Sequence, residues 1–306
     1  LHLESNKGLG AGANPARGEK AADASREEIK KVLEGADMAF ITFGAGGGTG
    51  SGAGYIVAEE ARKMGILTVG VVTKPFDIEG EVRRRNAEWA IQHMAHSVDA
   101  LITIPNERLL QVVDPNIPWK ESLRIADDIL RQGVQGVTDI ITEEHIINID
   151  FADVSKVMTN SGRTHMGVGR AAGEDRAETA ARNSLRSPLL DHNSIRGAKN
   201  ILLNISCNQR ENMMYHELTT ILEVIQSEAK YTDENGVMHD ANIIWGNSAK
   251  PVLGDDLEVI VVATGFEAQG DAMADEAMSE GAPLVAGVPN AVPTSTTLPP
   301  RPSDAG

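Results

Sequence analysis

Apolar residues in this chain change their spacing in a regular rhythm. Over residues 19–33, Ala, Glu and Lys predominate with apolar residues at helical spacing, and Gly35 supplies a stop, so the spacing predicts a helix. Met38-Ala-Phe-Ile-Thr-Phe43 is a short apolar run, the pattern of a buried parallel strand. The glycines of 44–50 lead into an alanine-rich helix over about 51–64. A strand is predicted at 66–72, a helix at 82–96 and a further strand at 100–104. Strands separated by helices specify an α/β fold with a doubly wound parallel sheet. One long central helix, Trp119–Thr142, follows with little to interrupt it.

Beyond it the grammar changes. Helical patterns at 148–159, 175–186 and 215–230 mix with strand patterns at 165–172, 200–206, 241–245 and 257–264, which suits a smaller mixed-sheet α+β domain. Residues 231–239 read as a surface hairpin inserted before a strand. The expected units are 1–143, including the central helix, then 144–266, then 267–306. The last holds six of the thirteen prolines, no aromatic residue and a single Arg301. Such a segment cannot offset its ordering entropy by burial, so it is read as a disordered tail. LHLES opens the chain like a strand with nothing before it to pair with, and RPSDAG closes it without a folding motif. A partial chain is expected.

Composition narrows the function. A length of 306 residues with 41% hydrophobic and 24% charged residues can bury two cores. Lys and Arg number 28 against 44 Asp and Glu, a net charge of −16 that opposes a nucleic-acid partner. It does not oppose a phosphate held by backbone amides. The single Cys207 excludes an internal disulfide and a four-cysteine zinc site, and no base is placed to activate it. His93 and His96 have near-ligand spacing but no third partner, so no metal site is expected. Arg83-Arg84-Arg85 reads as a solvated helix face. No apolar run is long enough to span a membrane and no signal peptide opens the chain, so no membrane insertion and a cytoplasmic location are expected.

The candidate chemistry lies in Gly46-Gly47-Gly48-Thr49-Gly50-Ser51-Gly52, between a strand and a helix. Glycines let the backbone turn tightly and aim N–H groups at an anion, aided by the positive end of the next helix. Thr49 and Ser51 add hydroxyls. No Gly-Lys-Ser/Thr Walker sequence occurs, and a dinucleotide G-x-G-x-x-G is matched cheaply by so many glycines. A nicotinamide-dependent oxidoreductase would place an acidic residue after the next strand, where Thr73-Lys-Pro-Phe76 stands instead.

GGGTGSG resembles the glycine signature of the tubulin superfamily, and its surroundings resemble the FtsZ family of bacterial division GTPases. GLGAGANP (8–15), GILTVGVVTKPFDIEG (65–80), DALITIPNERLL (99–110), DDILRQGVQG (127–136), NIDFADV (148–154), AGEDRAE (172–178) and VVATGFE (261–267) fall in the family's order. The resemblance covers residues 1 to about 267. It implies a tubulin/FtsZ-like fold that binds GTP or GDP, with Mg2+ held mainly through the phosphates. Gly46, Gly47, Gly48, Thr49, Gly50 and Ser51 match the phosphate-binding signature, and Ala11, Gly12, Ala13 and Asn14 the loop near the γ-phosphate. Glu79 and Arg83 match positions near the ribose; by spacing alone they are a solvated i,i+4 charge pair. Asp127 and Asp128 match the guanine contact, since a carboxylate can accept from both the ring N–H and the exocyclic amine.

Asn148, Asp150 and Asp153 match the catalytic loop that one subunit projects onto the next subunit's nucleotide. By residue type alone, Asp150 is a helix N-cap and Asp153 complements the dipole. The resemblance implies assembly-dependent GTP hydrolysis, head-to-tail self-assembly and a division ring at mid-cell. Adaptor and regulator proteins would dock on a C-terminal peptide that is not present here. It also implies that the first strand and the glycine-rich loop after it lie outside this chain. Two departures stand out: Glu81-Val82 where basic residues are usual, and Gly54-Tyr55 where Ala-Pro is common. The alternatives are a non-catalytic assembly partner or filament cap, and a plasmid-segregation or shape-determining tubulin relative.

Overall fold

A computed structural model describes residues 10–109, 118–142, 150–187, 189–190, 194–209, 212–233 and 236–266. The strand reading at the start of the chain, Asn148 and the 267–306 tail lie outside them.

Two helices, α1 (Pro15–Ala24) and α2 (Arg26–Leu33), replace the single one expected over 19–33. Asn14 caps α1 by accepting from the Ala16 amide at 3.0 Å, and Pro15 at the first position has no N–H to satisfy. The break falls at Ser25, whose φ of −110° and ψ of 17° leave the helical well. Its N–H bonds Ala22 and its carbonyl receives Glu28 and Ile29, so one buried residue ends one helix and starts the next.

The expected alternation then follows: β1 (Met38–Gly44), α3 (Thr49–Lys63), β2 (Leu67–Lys74), α4 (Glu81–Ser97) and β3 (Ala100–Pro105). A four-residue helix, α5 (Asn106–Leu109), is too short to leave a periodic signal. The central helix α6 (Trp119–Thr142) stands as read. After it come α7 (Phe151–Met158), β4 (Gly162–Ala171), α8 (Arg176–Leu185), β5 (Asn200–Cys207) and α9 (Tyr215–Glu228). The inserted hairpin is β6 (Lys230–Thr232) with β7 (Met238–Asp240), antiparallel, followed by β8 (Asn242–Ala249) and β9 (Leu257–Thr264).

The main sheet has seven strands in the order β1-β2-β3-β4-β9-β5-β8. β1 through β4 are parallel, β9 runs antiparallel to both its neighbours, and β5 with β8 is parallel again. β4 is the joint: Gly162 to Thr164 pair with β3, and His165 to Ala171 pair with β9. β1 departs from the buried strand expected. It sits at the sheet margin with β2 as its strand neighbour among the described residues, and most of it is half-buried or exposed, whereas β2 is buried almost throughout.

Both faces of the sheet are covered. Ala58 of α3 and Ala87 and Met94 of α4 pack on Ile41, Val72 and Leu101. On the other face Val137 and Ile140 of α6, with Val154 and Met158 of α7, join Val69, Val71, Ile102 and Ile104 in a core that continues to Leu202, Ile260 and Val262. The central helix therefore shares one core with both halves of the sheet. α8 and α9 cover the far half through Ala180, Ile221 and Ile225. β8 runs past the expected end at 245 because polar Asn247 and Ser248 are buried with it; Ser248 bonds Ser206 and Asn204 on β5.

Candidate active site

The site begins with how α1 and α3 lie against each other. Pro15 and Glu19 of α1 face Gly52, where a Cβ would sit 2.0 Å from the Pro15 carbonyl. One turn later Ala22 clusters with Ile56, and further on Arg26 pairs with Glu59 and Glu60. The two helices therefore run parallel with their N-termini side by side, and α2 continues along the later turns of α3.

Parallel dipoles that meet at their positive ends repel, and an anion at that point relieves the repulsion. Among the described residues, the first turns of the two helices supply none. Neither α1 nor α3 carries an acidic residue in its first turn, although α2, α4, α6, α7, α8 and α9 all do. In a chain with a net charge of −16 this pair of bare helix starts is selective.

The two loops that lead into these helices are tied together. The Ala11 N–H donates to the Thr49 hydroxyl at 3.4 Å, and Gly48 packs on Ala11 and Asn14 so closely that a Cβ would lie 2.7 Å from the Asn14 nitrogen. Ser51 is buried and its hydroxyl accepts from the Gly46 N–H at 2.9 Å, so it shapes the loop from within. Gly46 has φ +100° and its backbone faces the Arg83 carbonyl, two reasons for glycine there. Gly12 and Ala13 are also left-handed, at φ +61° and +57°, and both are exposed together with Thr49. Gly47 is half-buried and Gly50 packs on Phe43. Two residues here escaped the sequence reading. Arg17 brings its guanidinium beside Gly12, and Asn86 of α4 donates to both loops. The Asn-Pro step at 14–15 was the available signal for the helix start.

Glu79 and Arg83 form the i,i+4 pair that spacing implied, 2.6 Å apart, and Glu79 also accepts from the Phe76 N–H. Arg83 adjoins the glycine loop through its backbone.

Asp127 and Asp128 are exposed on α6 and line a cavity of about 1270 Å³ with Arg124, Arg131, Arg170 and Arg186. No residue of the two loops lines it, nor do Glu79 and Arg83. Asp128 accepts from Arg131 at 2.8 and 3.0 Å and from Gln132 at 2.6 Å. Burial alone would raise its carboxyl, but these bonds outweigh it and hold the group below the usual carboxylate range.

Asp150 caps α7, accepting the Asp153 N–H at 2.9 Å, and Asp153 is exposed in the first turn. The capping role is thus realised for Asp150. Helix α7 lies along the edge where β4 and β5 begin: Thr264, at the end of antiparallel β9, bonds the Val157 carbonyl, and Arg62 at the end of α3 bonds Asn160. The glycine loop follows the C-terminal end of β1. A strand of eight residues spans about 26 Å, so loops and carboxylates occupy opposite edges of the sheet. One chain does not bring them together.

A model of the Tubulin/FtsZ family GTPase domain matches residues 1–114, and a model of the FtsZ family C-terminal domain matches 162–267. Among solved structures, an empty FtsZ dimer from M. jannaschii is 39% identical, with a TM-score of 0.78 over 88% of this chain and 75% of that one. The chain belongs to the FtsZ family. A tryptophan-to-tyrosine variant of FtsZ from M. jannaschii is 40% identical, with a TM-score of 0.77 over 86% of this chain and 76% of that one. GDP-bound CetZ1 from Haloferax volcanii shares the fold at 17% identity, with a TM-score of 0.70 over 90% of this chain and 82% of that one.

Membership of the FtsZ family makes Gly54-Tyr55 a local variation with a visible cause. A Cβ at Gly54 would stand 2.3 Å from the Phe43 ring, so the large residue on β1 requires the small one on α3. Tyr55 contacts Trp89 edge-on at 5.8 Å and His93 at 5.2 Å. His93 is thereby packed into an α3–α4 aromatic cluster. Arg83, Arg84 and Arg85 all pair with Glu79 or Glu81, so Glu81 balances the basic run.

Proposed function

We propose that this FtsZ-family chain binds GTP on the paired starts of α1 and α3, and hydrolyses it when a second copy supplies α7. The observation that carries the reading is the pair of parallel helix N-termini with no acid in either first turn. The amides of Gly12, Ala13, Gly47 and Thr49, with Arg17 beside them, hold the phosphates. Glu79 and Arg83 serve the ribose, and Asp127, whose carboxylate is less engaged than that of Asp128, serves the guanine. Mg2+ would be held mainly through the phosphates, as the family resemblance implies.

Asp150 and Asp153, with Asn148, orient and polarise the attacking water on the neighbour's nucleotide. Phosphoryl transfer rests mainly on positioning and charge, which two carboxylates and an amide provide. Separation of the two half-sites across the sheet makes the contact heterologous, and a heterologous contact that does not close yields a filament. Similarity to FtsZ at 39–40% identity, against 17% for CetZ1, supports a division ring at mid-cell, with adaptor proteins as further partners.

GTP turnover recorded with light scattering tests the reading. The chain is expected to scatter and turn over together, and Asp153→Ala to bind GTP with at least 100-fold less turnover, the scale of a lost general-base contribution. Unchanged turnover in Asp153→Ala would return both carboxylates to helix capping alone.

A further inference from the structure

Asn86 stands on α4, three residues beyond Arg83, and is half-buried. Its Nδ2 donates to the Ala13 carbonyl at 3.2 Å and to the Gly46 carbonyl at 3.4 Å. Both acceptors are main-chain oxygens, so only the amide nitrogen, with its two hydrogens, fits between them. Both acceptors also belong to left-handed residues, Ala13 at φ +57° and Gly46 at φ +100°. For Gly46 that conformation is free, but for Ala13 the Cβ makes it costly. Something must hold Ala13 there, and among the described residues the Asn86 amide bonds its carbonyl.

We propose that Asn86 is a positioning residue of the nucleotide site: it clamps the 11–14 loop to the glycine loop so that their amides face one phosphate chain. This rests on the GTP-binding reading above. Asn86 touches no phosphate in this account; it fixes the backbone that does. Asp at this position would set a carboxylate against two carbonyls, whereas Ala would simply release them.

The experiment measures the affinity of a fluorescent GDP analogue and of inorganic triphosphate, with nucleotide-free melting temperature and hydrogen exchange, for wild type, Asn86→Ala, Asn86→Asp and Asn86→Ala with Ala13→Gly. Loss of two hydrogen bonds should weaken both ligands about tenfold in Asn86→Ala, and more in Asn86→Asp. Without ligand, the amides of 11–14 and 46–49 should exchange faster while the melting temperature stays within about 2 °C. Ala13→Gly, which needs no clamp to be left-handed, should restore most of the affinity. Wild-type exchange and affinity in Asn86→Ala would overturn the clamp. A lowered melting temperature with unchanged affinity would make Asn86 a structural residue only. A wild-type chain that binds neither ligand would overturn the GTP reading, whereas unchanged exchange in Asn86→Ala would overturn the clamp by itself.

Discussion

Gly54 has no side chain because Phe43 fills the space a methyl group would need. Two effects oppose each other when Ala replaces it. Helix propensity favours Ala by about 1 kcal/mol, and forcing a carbon into a filled site costs about 1–3 kcal/mol. At 2.3 Å the second should win, so Gly54→Ala is expected to destabilise the protein by about 1 kcal/mol in urea unfolding. In a Phe43→Ala background the ring is gone and the same substitution should stabilise instead. A change of sign between the two backgrounds is the result to look for. Tyr55 beside it is held by α1: burial and a hydrogen bond to Glu19 push its hydroxyl well above the usual tyrosine range.

At the scale of elements, the seating of α2 on α3 depends on charge as much as on shape. Glu60 is buried, and Arg26, Lys30 and Lys63 surround it. Burial alone would raise its carboxyl, yet the bonds from Arg26 and Lys63 outweigh burial and leave it below the ordinary value. The Arg26 bond lowers Glu59 as well, and Glu217, buried against Arg176, follows the same rule as Glu60. A carboxyl depressed in the folded state contributes stability that is complete above its unfolded pKa and is lost as pH falls through the folded one. Melting temperature should therefore be flat at neutral pH and fall steeply below about pH 4.5. Arg26→Ala should cost about 3 kcal/mol, since it leaves Glu60 short of its main partner. That loss should shrink at acid pH, where Glu60 is protonated in both proteins.

These elements were legible to different depths. The ends of α6 and β9 follow from hydropathy because their cores are apolar without interruption. The break at Ser25 does not, because serine differs little in propensity from its helical neighbours and the turn is fixed by packing. Hydropathy hides the end of β8 because Asn247 and Ser248 are polar residues in a core. At the site, the glycines announced themselves, whereas a lone amide such as Asn86 has no pattern to read. The absence of acids from two first turns was visible in the sequence, but it acquires meaning only once α1 and α3 are seen to start together.

On the scale of the whole molecule, α6 and its surroundings join the halves. Lys250 reaches Asp139 of α6 at 3.2 Å and Glu258 of β9 at 2.8 Å, and Arg170 pairs with Glu258 as well. Lys250→Met should release two buried carboxylates at once and cost about 3 kcal/mol or more in chemical denaturation. The division of the site across the sheet is tested by mixing variants. Gly48→Ala, whose new Cβ would strike Asn14, should disable the phosphate loops and leave α7 intact; Asp153→Ala does the reverse. Each alone should be inactive. Mixed in equal amounts, about a quarter of random head-to-tail contacts pair an intact loop with an intact α7, so roughly a quarter of the turnover should return.

Placing loops on one edge of the sheet and carboxylates on the other also fixes an arithmetic. On the proposed reading, a row of n subunits contains n − 1 complete sites, because the loops at one terminus and the α7 at the other face solvent. A lone chain has none, a pair has one between two, and only a long row approaches one per subunit. The specific rate therefore reports mean filament length. It should vanish at dilution, and a subunit able to dock by one edge alone would lower it by shortening rows, without entering any active site.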